Sequence, residues 1–373
     1  MSHSIQTVLA LAIALQVPPA SAGAAIGCQA DLADLAGFMK ANDAGAEAHL
    51  SSHREAIAQA FDTAHAAAAG TADAADCDGI LQTYLQAWRP THIQLVPAAG
   101  TAPRVASAPA GVDPRAPRLR ILDQDTALLV LPSFDLHYAA PIAALLAEQR
   151  TALAARKHWI IDVRDNDGGD DGSFAPLRPW LLDGHVHRHG VEYLATKANI
   201  QSQLDVCAYV GEPAACARQI APLVASMRAA PIGSFVLSGK QRFESIPVAL
   251  EADRPARVAI LTDRGCASSC EQFVLEARTG FRVKVVGRPT MGALDYSNLR
   301  PYKLASGRIL FYATSRSTRL PDMQVDAAGI QPDILLPAPL DAAGRDAGVD
   351  AVRRWLAGDA MQPATPLSGT VSP

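Results

Sequence analysis

Aromatic residues make up only 5% of this 373-residue chain. Charge of either sign is also in short supply, with 33 Lys and Arg against 37 Asp and Glu and a net charge of −4. That balance gives no electrostatic case for a nucleic-acid partner. Long apolar runs are missing too. Val8–Leu15 is the strongest, and it is too short to cross a bilayer well, so no membrane span is expected. Cysteines number six, but no Cys-x-x-Cys accompanies them and no His pair lies beside them, which speaks against a cysteine zinc site. Nothing in the composition calls for a cofactor, and nothing sets an oligomeric state. Few aromatics and much alanine instead favour helix.

The apolar stretch at the start, although it lacks a preceding Lys or Arg, reads as an export signal. Pro18-Pro19 breaks it, and Ala20-Ser21-Ala22 is a small-x-small cleavage site, so residues 1–22 are expected to be removed and the product to be periplasmic or extracellular. Ile26-Gly27-Cys28 faintly resembles a lipid-attachment box. An oxidising compartment lets the cysteines pair. Cys28 and Cys77 flank an Ala-rich helical region, Cys207 and Cys216 bracket a short excursion, and Cys266 and Cys270 bracket Ser268; three disulfides are expected.

Residues 23–96 form an N-terminal helical subdomain by periodicity: Leu32, Leu35, Phe38 and Met39 share one face, and Ile57, Ala60, Phe61 and Ala64 another. It ends where Pro90 stops a helix and a His92-bearing strand begins. Residues 97–117, rich in Ala, Pro and Gly, form a linker. Strand and helix patterns then alternate over 118–340, with a variable insertion at 173–250, implying a sheet flanked by helices. A hairpin is expected over Tyr302–Thr314, turning at Ser306-Gly307. Residues 341–373 give a helix followed by a Pro/Ser/Thr-rich disordered tail.

Two segments carry chemistry. Trp159–Gly169 opens as a buried strand and stops at Gly168-Gly169, where bare backbone N–H groups can face a ligand. Such donors stabilise the oxyanion of acyl transfer. Val258–Asp263 is a second strand, and it runs into Arg264–Glu271, a loop and helix start that present a serine. Together they suggest a serine hydrolase.

Asp162-Val163-Arg164-x-Asn166-x-Gly168-Gly169 resembles the D-L-R-x-N-x-G-G signature of the tail-specific, or C-terminal processing, serine peptidases of family S41. Ala267-Ser268-Ser269-Cys270-Glu271 resembles their nucleophile box. Val285–Gly292 resembles their V-V-G-x-x-T-x-G segment, and Gly329–Asp333 their G-I-x-P-D box. The order matches as well. The resemblance implies an α/β fold with a ClpP/crotonase-like ββα core. It also implies a peptide or protein substrate. Too few residues separate His92 from Thr126 for a PDZ module, so the chain resembles a PDZ-less branch.

By that resemblance Ser268 is the nucleophile, and the Ser269 N–H joins Gly168 or Gly169 in the oxyanion hole. The usual lysine base falls at Ala293, which cannot take a proton. The tricorn-like branch uses histidine, which implies His92 as base and Asp326 as its carboxylate. His137 is the next candidate base. His185, His187 and His189 alternate in the insertion, as metal ligands on a strand or as a solvated loop. Trp180, Tyr193, Tyr209 and Phe235 either shape a substrate pocket there or pack the inserted helices. The same fold in non-catalytic form, binding an apolar small molecule or peptide, is the alternative function.

Overall fold

The computed structural model describes residues 27–71, 73–98, 113–209, 212–339 and 341–360. The expected signal, most of the linker and the tail fall outside them.

Three helices come first: α1 (Cys28–Asn42), α2 (Ala46–Ala69) and α3 (Ala74–Trp88). Asp73 caps α3 by accepting from the Ala75 and Asp76 N–H groups at 2.8 and 3.0 Å, satisfying donors that a helix start leaves open. α3 stops at Arg89, which is extended, because a residue ahead of proline is pushed out of the helical region. Leu32, Leu35 and Met39 pack against Leu81, Leu85 and Trp88. The Cys28–Cys77 disulfide ties the start of α1 to α3, so the Cys28 sulfur that a lipid would need is already bonded.

These helices do not own their core. Leu304, Leu310 and Tyr312 belong to the same cluster. They come from the later hairpin of β11 (Tyr296–Lys303) and β12 (Ile309–Ser317) and the turn between them. The short strand β1 (Gln94–Val96) pairs antiparallel with β12, so the helical layer and the later hairpin are one packed unit. His92 lies in a left-handed turn (φ 54°) just ahead of β1, not on the strand itself.

The main sheet is built from β2 (Arg118–Ile121), β3 (Thr126–Val130), β4 (His158–Asp162), β9 (Arg257–Thr262), β10 (Val283–Gly287) and β13 (Ile334–Leu335), in the order β13-β10-β9-β4-β3-β2. All neighbours are parallel except β2 with β3. Parallel strands need helical crossovers that cover both faces, which is why they read as continuous apolar runs. β3 reaches β4 through α4 (Ala139–Glu148) and α5 (Arg150–Ala154), and β9 reaches β10 through α10 (Ser269–Ala277). Leu129, Ile161 and Ile260 face the larger core with Phe134 and Phe273. Leu128, Ile160 and Leu261 face the opposite layer, closed by Val349, Val352 and Leu356 of α11 (Ala342–Ala357).

The insertion holds short helices α6 (Asp171–Phe174) and α7 (Arg178–Leu181), strands β5 (His185–His189) and β6 (Val191–Leu194), helices α8 (Lys197–Asp205) and α9 (Pro213–Ala229), and strands β7 (Phe235–Leu237) and β8 (Phe243–Pro247). β5 and β8 form a two-stranded ribbon, while β6 joins β12 and carries β7. The Cys207–Cys216 disulfide closes the turn into α9.

Candidate active site

The carboxyl ends of β4 and β9 lie side by side, the place where open parallel sheets bind ligands. Asn166 stitches the loops together there. Its Nδ2 donates to Leu131 O at 2.8 Å, its Oδ1 accepts from Gly168 N at 3.0 Å, and its carbonyl accepts from Ala267 N at 3.0 Å. Gly168 and Gly169 both take positive φ, 97° and 140°. A Cβ on Gly168 would stand 2.6 Å from Ala267 O and 2.8 Å from Ser268 Cβ, so the two signature loops touch at this glycine. Arg164 anchors the base of the first loop through Asp162, at 2.6 Å, and Arg345 holds Asp165 at 2.8 Å.

Ser268 stands at the head of α10 with φ 56° and ψ −120°. Left-handed backbone is uncommon for a residue with a Cβ, and such strain persists only where the surroundings over-determine it. They do so here. Ser268 N–H donates to Ala293 O at 3.1 Å and lies 3.3 Å from Glu271 Oε2. Glu271 is fully buried and also accepts from Thr290 Oγ1 at 2.5 Å, Gly292 N at 2.8 Å and Ala293 N at 2.7 Å. Burial pushes its carboxyl above the ordinary range, and the four donors pull the other way. Cys266 and Cys270, both fully buried, are disulfide-bonded across the serine with Cα atoms 5.4 Å apart.

The two glycines differ in what their N–H groups meet. The Gly168 N–H is taken by Asn166. Gly169 and Ser269 have no acceptor for their N–H groups among the described residues. The Ser269 hydroxyl is itself engaged, donating to Gly169 O at 3.1 Å. A sequence reading cannot tell the two glycines apart, because the difference lies in which N–H the Asn166 side chain reaches.

Ser268 and His92 both bond to the segment that leads into β11: Ser268 to Ala293 O, and His92 through Nδ1 to Tyr296 O at 2.6 Å. Asp326 clasps that segment, its Oδ1 accepting from Leu294 N and Asp295 N at 2.6 and 2.7 Å. Its Oδ2 is buried without a partner. Among the described residues no hydrogen bond or ion pair joins His92 to Ser268 or to Asp326. Burial lowers the His92 pKa to about 4, so the ring is neutral at pH 7. Asp326 is raised to about 6, first by burial and then by Asp295. The Ala293 side chain is buried, and Lys284 and Lys303 are exposed.

The remaining histidines separate cleanly. His137 is exposed, its ring tilted 43° against that of Tyr138. His185 and His187 are exposed on β5. His189 lines the same cleft as Ser268, a placement that its alternating pattern did not reveal because it depends on where the β5–β8 ribbon folds back. No group of three metal-ligating side chains occurs among the described residues. Trp180 packs on Trp159 at 5.0 Å between ring centres, and Tyr193 joins Met227 in a small core, so both pack the insertion. Phe235 lies under the Arg316 guanidinium, and the Tyr209 side chain falls outside the described residues.

The cleft in front of Ser268 encloses about 90 Å³. Its lining mixes apolar surface, Val191 and Leu294 included, with the polar and charged side chains of Arg188, Glu244, Gln272, Asn298 and Arg319, and with Asp171 at the start of α6. No lysine is among its lining residues.

The model of peptidase family S41 matches residues 125–336. No curated protein matches the chain. Solved structures similar in fold include a lipoprotein from Streptococcus agalactiae, 16% identical with a TM-score of 0.52, covering 92% of this chain and 99% of that one. Mature CPAF complexed with lactacystin is 12% identical with a TM-score of 0.56, covering 89% and 97%. A mutant of CPAF is 9% identical with a TM-score of 0.60, covering 91% and 99%.

Proposed function

Since the chain belongs to peptidase family S41, we propose that it is a serine peptidase that cuts peptide or protein substrates through an acyl-enzyme. Its main sheet is read as the ClpP/crotonase-like core that carries this chemistry. In this reading Ser268 Oγ attacks the scissile carbonyl carbon while His92 Nε2 takes its proton. The Nδ1–H donated to the Tyr296 carbonyl fixes the tautomer that leaves Nε2 free. The oxyanion is held by the Gly169 and Ser269 N–H groups, with the positive end of α10 behind them. His92 then returns the proton to the leaving amine, and water hydrolyses the ester. Asp326 positions the segment to which Ser268 and His92 are both hydrogen-bonded.

The observation that carries the reading is Ser268 in a left-handed turn beside two uncommitted N–H groups. A strained serine at a strand-to-helix turn is how hydrolases expose a nucleophile. The alternative, a binding protein for an apolar ligand, is disfavoured by the four charged side chains Asp171, Arg188, Glu244 and Arg319 that line the cleft. Three disulfides, which persist in an oxidising compartment, support an exported protein.

Labelling with a fluorophosphonate, mapped by mass spectrometry of a digest, tests the proposal. The label is expected on Ser268. Ser268→Ala should abolish it and reduce turnover by at least about 10⁴-fold, with the melting temperature little changed. Ser269→Ala should keep most of the labelling, because that residue acts through its N–H. A wild-type protein that takes no label, or takes it on Ser269, would refute the assignment.

A further inference from the structure

The cleft beside Ser268 contains one carboxylate without a cationic partner. Glu244 on β8 is bound by Arg188 on β5 at 3.0 Å. Arg319 is bound by Asp295 at 3.2 Å. Burial, with Arg319 and Arg242 nearby, lowers the pKa of His189 and keeps its ring neutral. That leaves Asp171, which follows Gly169 by two residues and faces the cavity together with Ser268, Ser269 and Gln272. No described lysine or arginine makes an ion pair with it. Arg178 on α7 is the one cation whose charge acts on it, and both of the bonds that Arg178 makes, 2.8 and 3.2 Å, go to Glu276 on α10. Around Asp171 the charges are therefore Asp170, Glu276 and the already neutralised Arg178, with the Ser269 hydroxyl as its polar neighbour.

A carboxylate so placed is short of a counter-ion. Its pKa is raised to about 7, by burial first and by Glu276 next. A ligand that brings a cation offsets both effects, because an opposite charge close by favours the ionised acid. Every other charge lining the cleft is matched within the protein, so Asp171 sets the sign that the cleft selects.

We propose that Asp171 is the specificity-determining residue of this cleft and that it selects peptide substrates presenting a Lys or Arg side chain beside the scissile bond. The inference rests on Ser268 being the nucleophile, and its test is chosen to be independent of catalysis.

The probe is 4-aminobenzamidine, whose fluorescence rises on binding and whose amidinium stands in for a basic side chain. Saturable binding is expected at pH 8 in the wild-type protein and in Ser268→Ala. Asp171→Asn should bind at least about tenfold more weakly, an ordinary loss for a desolvated charge pair. In the wild-type protein affinity should fall between pH 8 and pH 5.5, as Asp171 is protonated. This pH comparison carries the test alone if Asp171→Asn does not fold by circular dichroism. No saturable binding, equal affinity in a folded Asp171→Asn, or affinity independent of pH would overturn the proposal. Fluorophosphonate labelling separates the two readings. Labelling without amidine binding removes the specificity assignment only. Amidine binding without labelling removes the nucleophile assignment and leaves a cation-selective cleft.

Discussion

Gly168→Ala places one methyl group at the junction of the two signature loops. The new Cβ would lie 2.6 Å from Ala267 O, 2.8 Å from Ser268 Cβ and 3.0 Å from Ser269 N. Ordinary carbon contacts begin near 3.5 Å, so the loops must separate by roughly 0.5–1 Å. Two of the three atoms are backbone, which cannot swing aside as a flexible side chain would. The displaced groups are the proposed nucleophile Ser268 and the proposed oxyanion donor Ser269 N–H, and about 1 Å of misplacement costs on the order of 100-fold in rate. The φ of 97° adds roughly 1–2 kcal/mol of backbone strain for a residue with a Cβ. Gly184→Ala is the control: its φ is 106°, and nothing lies within 4 Å of the added Cβ. Both variants carry the φ penalty, and only one carries the collision. Labelling rates with a fluorophosphonate by intact mass, beside thermal melts, should show both variants destabilised and only Gly168→Ala slowed, by about 100-fold. Labelling of Gly168→Ala within about threefold of wild type, or equal slowing in Gly184→Ala, would refute the geometric argument.

His92→Ala should slow labelling by roughly 10²–10⁴-fold, the span of general-base catalysis, and His189→Ala should cost less; the reverse order would move the base into the β5–β8 ribbon. Because His92 accepts protons only when neutral and its pKa is lowered to about 4, the acid limb of labelling by a neutral probe should fall near pH 4, and a limb near 6.5 would contradict that burial. Replacing Cys266 and Cys270 together by serine should slow labelling by about tenfold or more while the protein still melts cooperatively; unchanged rates would assign the disulfide to stability alone. Burial raises the Asp326 pKa to about 6, well above that of a free aspartate, so the folded state binds more protons and stability falls as pH rises from about 4 to about 6. Asp326→Asn keeps an oxygen for Leu294 N and Asp295 N and removes the buried charge. It should therefore stabilise the fold at pH 8, by about 1 kcal/mol after discounting for partial exposure, and by much less at pH 4. Equal effects at both pH values in thermal melts would show that Asp326 is not charged in the native state.

The sequence by itself determined the elements whose causes are local. Pro90 ended α3 through its effect on Arg89, the apolar runs of β3, β4 and β9 became the parallel interior, and the Gly168-Gly169 stop and the serine box marked the two loops that meet. The helix expected up to about residue 156 is present as α4 and α5, and the Tyr302–Thr314 hairpin is present but longer at both ends, because β12 also pairs with β1 and β6. Cysteine spacing gave the three pairs. Tertiary structure decided what depends on distant partners. The N-terminal helices share a core with β11 and β12, since their apolar faces need a sheet to cover them. Which glycine keeps a free N–H depends on the reach of Asn166, and the partner of His92 is a backbone carbonyl that no side-chain pattern advertises. Asp171 and His189 enter the cleft only because α6 and the β5–β8 ribbon fold back over the head of α10. Local signals act within a few residues along the chain, whereas hydrogen-bond partners and counter-ions are chosen by proximity in space.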